Sequence, residues 1–283
     1  MDRFDWLEIE EERLQPYASD SQFRVRPTDG PSFYQSARGM REAGHFRAAA
    51  KFYAQAIAYD QHHYSARVEW IDTLVRARQF DAAEEASQEA VEAFPTVRML
   101  WASRALVAAH TNHKADAVRH SDASLRDAPP SWYACCVRAE VIMRRRASGR
   151  AEALSWLEKG ADAAKQPWEA FFIGGWMLLD AQLPALAAGY FAEAVRVNPR
   201  APLGWLCLGD CFREAKLYDQ ALFYYQRVTE LESSHELALE RQKNCLPKLY
   251  GLMRVFNRSS LQERWKNEFN KALERLERNS NDF

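Results

Sequence analysis

The sequence predicts an all-α solenoid, a stack of repeated helical hairpins, because a fixed period runs through most of the chain. Six alanines follow one another at intervals of 34, 34, 36, 34 and 34 residues, namely Ala49, Ala83, Ala117, Ala153, Ala187 and Ala221. Sixteen residues before them stand Phe33, Arg67, Trp101, Val137, Phe171 and Trp205. In the fourth interval Cys135 is the better match, since two residues are inserted before the alanine. A constant period of this length is typical of repeat proteins whose units stack on their neighbours.

The repeated unit is clearest in residues 202–235. Its first helix has small or apolar residues at the spacing i, i+3, i+4 and i+7, namely Trp205, Leu208, Gly209 and Phe212. After the break REAKLYDQ, one face of a second helix carries Ala221, Tyr225 and Val228. The small residues predict that the two helices approach closely, with the aromatic side chains filling the space that remains.

The same pattern recurs along the chain and predicts its domain organisation. A proline that stops the second helix is found at Pro95, Pro129 and Pro199. The six predicted repeats cover 30–63, 64–97, 98–131, 132–167, 168–201 and 202–235. An acidic, partly helical N-terminal segment over 1–29 precedes them, and a capping helix over 236–247 and an amphipathic helical extension over 248–283 follow.

The recurring positions resemble the tetratricopeptide repeat family over roughly residues 30–235, as six units. The resemblance implies a right-handed superhelical solenoid with C-terminal capping helices. Single copies depart from the family pattern: Arg104 and Arg138 stand where an apolar residue is usual, and Ile71 replaces a small one. The alternative, an irregular helical bundle, is disfavoured because several positions recur together in register.

In this family the first helices line a concave groove, so the resemblance also implies which residues face a partner. The positions carried over for the groove are Met99, Leu106, Tyr133, Met143, Phe172, Trp176, Leu179, Leu206 and Arg213. Most are apolar, which favours an amphipathic helix or an extended apolar segment of another protein as the ligand. The alternative is that the chain's own segments cover these side chains.

Some family members hold a C-terminal carboxylate with a lysine and asparagines of their first two repeats. At those positions this sequence has Tyr34, Arg38 and Glu69. The resemblance therefore does not extend to that mode of binding.

Both ends of the chain carry amphipathic patterns outside the repeats. The first 30 residues contain eight acidic and four basic residues together with Phe4 and Trp6. At the other end, Ser233 and Glu236 predict a capping box that opens the capping helix, and Pro247 is expected to end it.

A last helix is predicted to begin at Ser260, and its apolar stripe carries Leu261, Trp265, Phe269 and Leu276. A stripe of this kind must pack on protein. We expect the surface to be either the chain's own solenoid or a partner, including a second copy in a homodimer.

Composition excludes several classes of function. The chain is 47% hydrophobic and 27% charged with a net charge of −1, so long-range attraction to nucleic acid or anionic membranes is not expected. The arginine run between Arg144 and Arg150 is interpreted as a solvated turn rather than a phosphate site. The N-terminus lacks the apolar core of a signal peptide, and the longest apolar stretch, FFIGGWMLL, is half a bilayer span. We therefore expect a cytoplasmic protein that neither inserts into membranes nor binds nucleic acid.

No pattern in the sequence predicts catalysis, a cofactor or a metal. The five cysteines follow no disulfide or zinc spacing and are interpreted as small buried hydrophobic residues of a reducing compartment. The seven histidines lack a completed set of ligands. Neither a nucleophile elbow nor a phosphate-binding glycine loop is present, so the chain is not expected to be an enzyme.

The prediction that follows is a scaffold or adaptor that binds an apolar or amphipathic segment of a partner protein in its groove. One alternative is a cytoplasmic chaperone or assembly factor for a secreted or multi-subunit client. A second alternative is a non-catalytic accessory or regulatory subunit of an enzyme complex, held through its C-terminal helices.

Overall fold

A computed structural model describes residues 29–126, 129–165 and 167–255, and within these ranges it contains α-helices and no β-strand. The described chain divides after Ala164 into two compact units. Helices of the first unit are α1 (Gly30–Glu42), α2 (Phe46–Tyr59), α3 (Tyr64–Arg76), α4 (Phe80–Ala93), α5 (Arg98–His110), α6 (Lys114–Ser124), α7 (Trp132–Arg145) and α8 (Arg150–Ala163). Those of the second unit are α9 (Trp168–Asp180), α10 (Pro184–Val197), α11 (Pro202–Glu214), α12 (Tyr218–Leu231) and α13 (Glu236–Val255). The all-α prediction is confirmed.

Consecutive helices pair as antiparallel hairpins, and most of the tight turns between partners use the same backbone conformation. A residue with positive φ closes the turn at Gly44, Arg78, Asn112, Gln182 and Lys216, with φ values of 89°, 59°, 64°, 61° and 62°. In the last of these turns the Leu217 N–H donates to the Phe212 carbonyl at 2.9 Å, which is the hydrogen bond of a Schellman motif. Four of the five residues are not glycine, so each turn stores a modest conformational cost.

The fourth hairpin differs where the sequence has its two additional residues. Arg146 is extended, with φ −153°, and a short 3₁₀ turn spans Ala147–Gly149 before α8 begins. Arg146 forms an ion pair with Glu152 at 2.5 Å, which draws part of the arginine run into contacts within its own hairpin. The insertion is therefore absorbed in the turn and leaves the helices on both sides intact.

Close approach of the paired helices depends on glycine, as the sequence predicted. A Cβ added at Gly209 would lie 2.6 Å from Cε1 of Tyr225, and one at Gly175 would lie 2.7 Å from Cε1 of Phe191. Tyr225 and Phe191 are fully buried. Each aromatic ring thus occupies the volume that a side chain on the facing helix would need.

Neighbouring hairpins are joined by polar contacts that explain two departures from the family pattern. Arg104 forms an ion pair with Glu84 at 2.6 Å, and Arg138 forms one with Asp122 at 2.7 Å. In each case the arginine on a first helix reaches back to the second helix of the preceding hairpin. Arginine is tolerated at these positions because its aliphatic part can pack between the helices while its guanidinium group pairs with a carboxylate of the preceding hairpin.

The capping helix starts at the predicted residue, but the predicted capping box is wrong. Helix α13 begins at Glu236, and the Ala238 N–H donates to Nδ1 of His235 at 3.3 Å, so His235 rather than Ser233 caps the helix. His63 caps α3 in the same way, through the Ala66 N–H at 3.1 Å. An imidazole nitrogen in this place accepts the same orphan N–H group that a serine hydroxyl would accept.

The predicted end of that helix at Pro247 is also wrong, because α13 continues through the proline to Val255. Proline prevents one hydrogen bond, from its own nitrogen to the Lys243 carbonyl, and it favours a kink. The backbone hydrogen bonds of the helix before and after this position can still form. A single proline is therefore a weaker stop signal here than at the ends of the second helices.

Candidate functional site

A chain of charged side chains connects the first helices of the first unit. On α3, Asp72 accepts from Arg41 of α1 at 3.3 Å and from Arg76 at 3.3 Å. Nη2 of Arg76 also lies 3.4 Å from Oε2 of Glu140 on α7. Asp72, Arg76 and Glu140 are each at most 5% exposed, so this is a buried ion network.

Glu140 is the centre of one end of the network. Nε2 of His110 lies 2.6 Å from its Oε1, and Nε of Arg144 lies 3.4 Å from the same oxygen. Burial raises the pKa of Glu140, but the Arg76 guanidinium, His110 and Arg144 outweigh it and hold the pKa of the carboxyl well below its usual range. The side chain is therefore a buried carboxylate.

His110 is neutral at pH 7 in this setting. Burial lowers its pKa from the ordinary value of 6.5, and the attraction of Glu140 opposes that shift only in part. A neutral imidazole that faces a carboxylate must donate, so Nε2 carries the proton.

Glu69 forms the other end of the network, near the start of the repeat region. The hydroxyls of Tyr34 and Tyr53 each donate to this carboxylate at 2.7 Å. Nε of Arg38 and Nη1 of Arg41 both lie 3.9 Å from its Oε2. Tyr34, Arg38 and Glu69, which replace the carboxylate-binding residues of other family members, are thus engaged with one another.

Exposure differs between the arginines in the middle of this network and those at its ends, since the side chains of Arg41 and Arg76 are only 10% and 5% exposed. The carboxylate side chains of Glu69, Asp72 and Glu140 are 17%, 3% and 1% exposed. By contrast, the side chains of Arg38 and Arg144 are 31% and 30% exposed. The network therefore has a partly exposed arginine at each end, Arg38 and Arg144, while its two most buried carboxylates, Asp72 and Glu140, lie inside.

The helix ends contribute to this arrangement. Arg41, Arg76, His110 and Arg144 all lie in the last turn of a first helix. The positive charges of the three arginines are favoured in this place by the partial negative charge of the unpaired carbonyls. The basic residues recur at intervals of 34, at 76, 110 and 144, and this is the signal in the sequence from which the network can be found.

Five of the nine predicted groove residues are buried by the protein itself. Leu106 and Leu206 are 0% exposed, Tyr133 is 2% exposed, and Phe172 and Leu179 are each 7% exposed. The expectation that they line an accessible apolar groove must therefore be corrected. In the first unit the reason is that α5 packs directly against both α3 and α7, which closes the face that the family pattern assigns to a ligand.

The remaining four predicted groove residues, Met99, Met143, Trp176 and Arg213, are partly exposed. Trp176 donates its indole N–H to Sγ of Cys207 at 3.0 Å, and its ring lies 5.4 Å from that of Phe172. Arg213 lies 3.1 Å from Asp210, to which the Tyr225 hydroxyl also donates at 2.6 Å. Leu261, Trp265, Phe269 and Leu276 lie outside the described residues.

The described residues contain no arrangement that indicates a metal site or a membrane span. No three His, Cys, Asp or Glu side chains within these ranges converge as metal ligands would. Likewise, none of the described helices is long and apolar enough to cross a bilayer. The five cysteines are free thiols and all are buried, which confirms their interpretation as small hydrophobic residues.

The fold and its period define the class of protein, a stack of helical hairpins built from one repeated unit. Family comparison gives the same result: tetratricopeptide repeat models match residues 40–107 and residues 174–234. Tetratricopeptide repeats are therefore present in both of these regions of the chain. Such repeats generally mediate protein–protein interaction.

Several solved structures are similar to the chain at low sequence identity. A thermophilic tetratricopeptide repeat protein of Thermus thermophilus, TTC0263, is 14% identical with a TM-score of 0.45, over 77% of this chain and 98% of that chain. PilW, a type IV pilus biogenesis factor, is 16% identical with a TM-score of 0.45, over 71% and 96%. YrrB, described as having an unusual peptide-binding site, is 16% identical with a TM-score of 0.40, over 69% and 99%. A search of curated proteins found no significant match.

Proposed function

We propose that this protein is an interaction scaffold whose first unit binds an amphipathic, acidic segment of a partner protein. The observation that carries the proposal is the unequal exposure within the ion network, in which Arg38 and Arg144 reach the surface while Glu140 and Asp72 are buried. A guanidinium group offers several donors in a fixed plane and suits carboxylate recognition. An acidic side chain of a partner fits such a surface better than a purely apolar segment does.

The apolar part of the proposed ligand has a counterpart on two first helices of the same unit, α5 and α7. Met99 on α5 and Met143 on α7 are partly exposed, and Met143 directly precedes Arg144. Methionine side chains are flexible and polarisable, and they adapt to different apolar ligands. A segment that alternates acidic and apolar residues would contact both kinds of group.

The same structure supports a role without catalysis. Burial raises the pKa of the thiols of Cys136, Cys207 and Cys211, so each disfavours the reactive thiolate form. The buried carboxylates of Asp72 and Glu140 are held in ion pairs with Arg76. We therefore propose that these groups stabilise the fold and orient the exposed arginines.

The proposal is tested by capture of partners from an extract of the source cell. The full chain is compared with the double variant Arg38→Ala/Arg144→Ala and with Arg119→Ala, a control whose side chain is 70% exposed and pairs with Asp116. We expect the double variant to lose the captured protein and the control to retain it. Loss of equal size in both variants would contradict the proposal.

A second comparison separates the proposal from the alternative of an accessory subunit held by its C-terminal helices. A chain shortened after Val255 keeps the arginines and α13 but lacks the last predicted helix. Capture that survives this truncation supports binding through the first unit. Capture that is lost on truncation but insensitive to the arginine substitutions would favour the accessory-subunit alternative.

A further inference from the structure

Helix α13 turns two leucines toward solvent. Leu239 and Leu246 are 46% and 41% exposed and lie seven residues apart, which is two helical turns, so they share one face. The side chains of Leu237, Ala238 and Cys245 on the opposite face are buried, at 5%, 0% and 0%. The helix therefore has an apolar outer face in addition to the face that packs on the preceding hairpin.

The repeat register shows what usually covers these positions. Thirty-four residues before Leu239 and Leu246 stand Trp205 and Phe212 on α11. Both aromatic rings contact Tyr224 of α12, with ring centroids 6.2 and 4.9 Å apart. In the sixth hairpin, then, the second helix covers the two positions. Within the described residues no helix follows α13 to do the same.

We propose that residues 260–279 form this second helix and pack back on Leu239 and Leu246 as the second half of a seventh hairpin. The sequence predicts a helix from Ser260, with an apolar stripe that includes Phe269 and Leu276. Residues 256–259 would then be a connection of four residues. Antiparallel helices are commonly joined by two to five residues.

The spacing of the two stripes agrees with an antiparallel pair. Both helices rise about 1.5 Å per residue, so residues at equal distances from the connection face each other. Leu246 lies nine residues before Val255, and Phe269 lies nine residues after Ser260. Leu239 lies sixteen residues before Val255, and Leu276 lies sixteen residues after Ser260. Two exposed leucines thus come opposite two apolar residues of the proposed helix.

The short connection between α13 and residues 260–279 favours this segment over a separate chain as the group that covers Leu239 and Leu246. A connection of four residues holds the segment beside α13 at an effective concentration in the millimolar range or above. A second copy or a partner must reach the same face from dilute solution. The chain's own segment is therefore favoured.

Disulfide trapping in the full chain tests the proposal directly. In the proposed register Lys243 and Leu273 lie on the same flank of the two helices, so we expect Lys243→Cys/Leu273→Cys to form an intramolecular disulfide. In the control Lys243→Cys/Gln262→Cys, the second cysteine lies about ten residues further along the axis, roughly 15 Å away and beyond disulfide reach. The unsubstituted protein, whose five cysteines are buried, sets the background.

Two outcomes of the trapping experiment would overturn the proposal. Cross-linked dimers in place of cross-linked monomers would mean that a second copy covers α13. Equal or absent cross-linking in both cysteine pairs would mean that the segment packs elsewhere.

Hydrogen exchange gives an independent measurement on the same surface. We expect slow exchange over residues 260–276 in the unsubstituted protein, and exchange at least about tenfold faster there in Leu246→Asp, with the second helices of the repeats unchanged. Rapid exchange of the segment in the unsubstituted protein would contradict the proposal. An exchange rate over residues 260–276 that is equally slow in Leu246→Asp and in the unsubstituted protein would also contradict it.

Discussion

Nη2 of Arg76 on α3 lies 3.4 Å from Oε2 of Glu140 on α7, 64 residues further along the chain. The contact passes over the third hairpin and connects the second repeat to the fourth. Helix α5 of the intervening repeat carries buried alanines at 102, 105, 108 and 109.

Loss of Arg76 is expected to be costly for the fold. Arg76→Met would leave both Asp72 and Glu140 buried without this partner, and breaking a buried pair in this way costs about 3 kcal/mol or more. The free energy of unfolding measured with urea should fall accordingly. Arg119→Met, at an exposed site, is the matched control and should leave stability unchanged. Similar behaviour of both variants would contradict the description of Arg76 as part of a buried network.

The neutral state of His110 predicts a dependence of stability on pH. Because burial lowers its pKa in the folded protein below 6.5, the unfolded chain binds a proton more readily. The stability that depends on neutral His110 is present above pH 6.5 and is lost as the pH falls through the folded-state pKa.

This dependence is measured as the change in unfolding free energy between pH 7.5 and pH 5. Burial also lowers the pKa of His120, so His120→Gln is introduced in both proteins that are compared. We expect His110→Asn in that background to lose less stability over this range than the protein with His110. An equal loss would mean that His110 does not titrate as described.

The close contact between Gly209 and Tyr225 predicts a penalty for even one methyl group. Gly209→Ala would place its Cβ 2.6 Å from the Tyr225 ring, and overpacking of this kind typically costs about 1–3 kcal/mol. In Tyr225→Leu the clash is absent, so the double variant should be more stable than the sum of the two single effects predicts. Additive effects would show that the ring and the glycine do not compete for the same space.

Lys216 offers a test of the left-handed turn residues. It is exposed, and its φ is 62°. A side chain in this region costs about 1–2 kcal/mol, part of which glycine returns through its greater freedom in the unfolded chain. Lys216→Gly should therefore raise the free energy of unfolding by about 0.5 kcal/mol, whereas Lys216→Ala should not raise it. A gain with alanine as well would point to the loss of the lysine charge as the cause.

Local sequence predicts the hairpins well because their determinants lie within one repeat. The period of the alanines, the glycine–aromatic pairs such as Gly209 and Tyr225, and the stretch REAKLYDQ predict two helices and a turn. Local sequence predicts less well where two nearby side chains could both cap the same helix. His235 caps α13 although Ser233 is the better capping residue by type, since the choice depends on how the chain leaves α12.

The character of the inner face was not predicted from the sequence, and the reason is geometric. Family register assigns Leu106 and Tyr133 to a groove, but how closely the first helices approach one another decides whether such residues are open or covered. That approach depends on contacts between distant repeats, such as the one from Arg76 to Glu140, which no single repeat encodes. The sequence signals for it were the basic residues at 76, 110 and 144 and the carboxylates at 72 and 140.

Selection of peptide ligands tests the central claim most directly, because the peptides obtained show which chemistry the surface prefers to bind. A random peptide library is selected on the full chain, and the peptides obtained are titrated against the full chain and against Arg38→Ala/Arg144→Ala. We expect the peptides to combine Asp or Glu with apolar residues, and to lose about tenfold or more in affinity for the double variant, with weaker binding at high salt. Purely apolar peptides that bind both proteins equally, at any salt concentration, would contradict the proposed site.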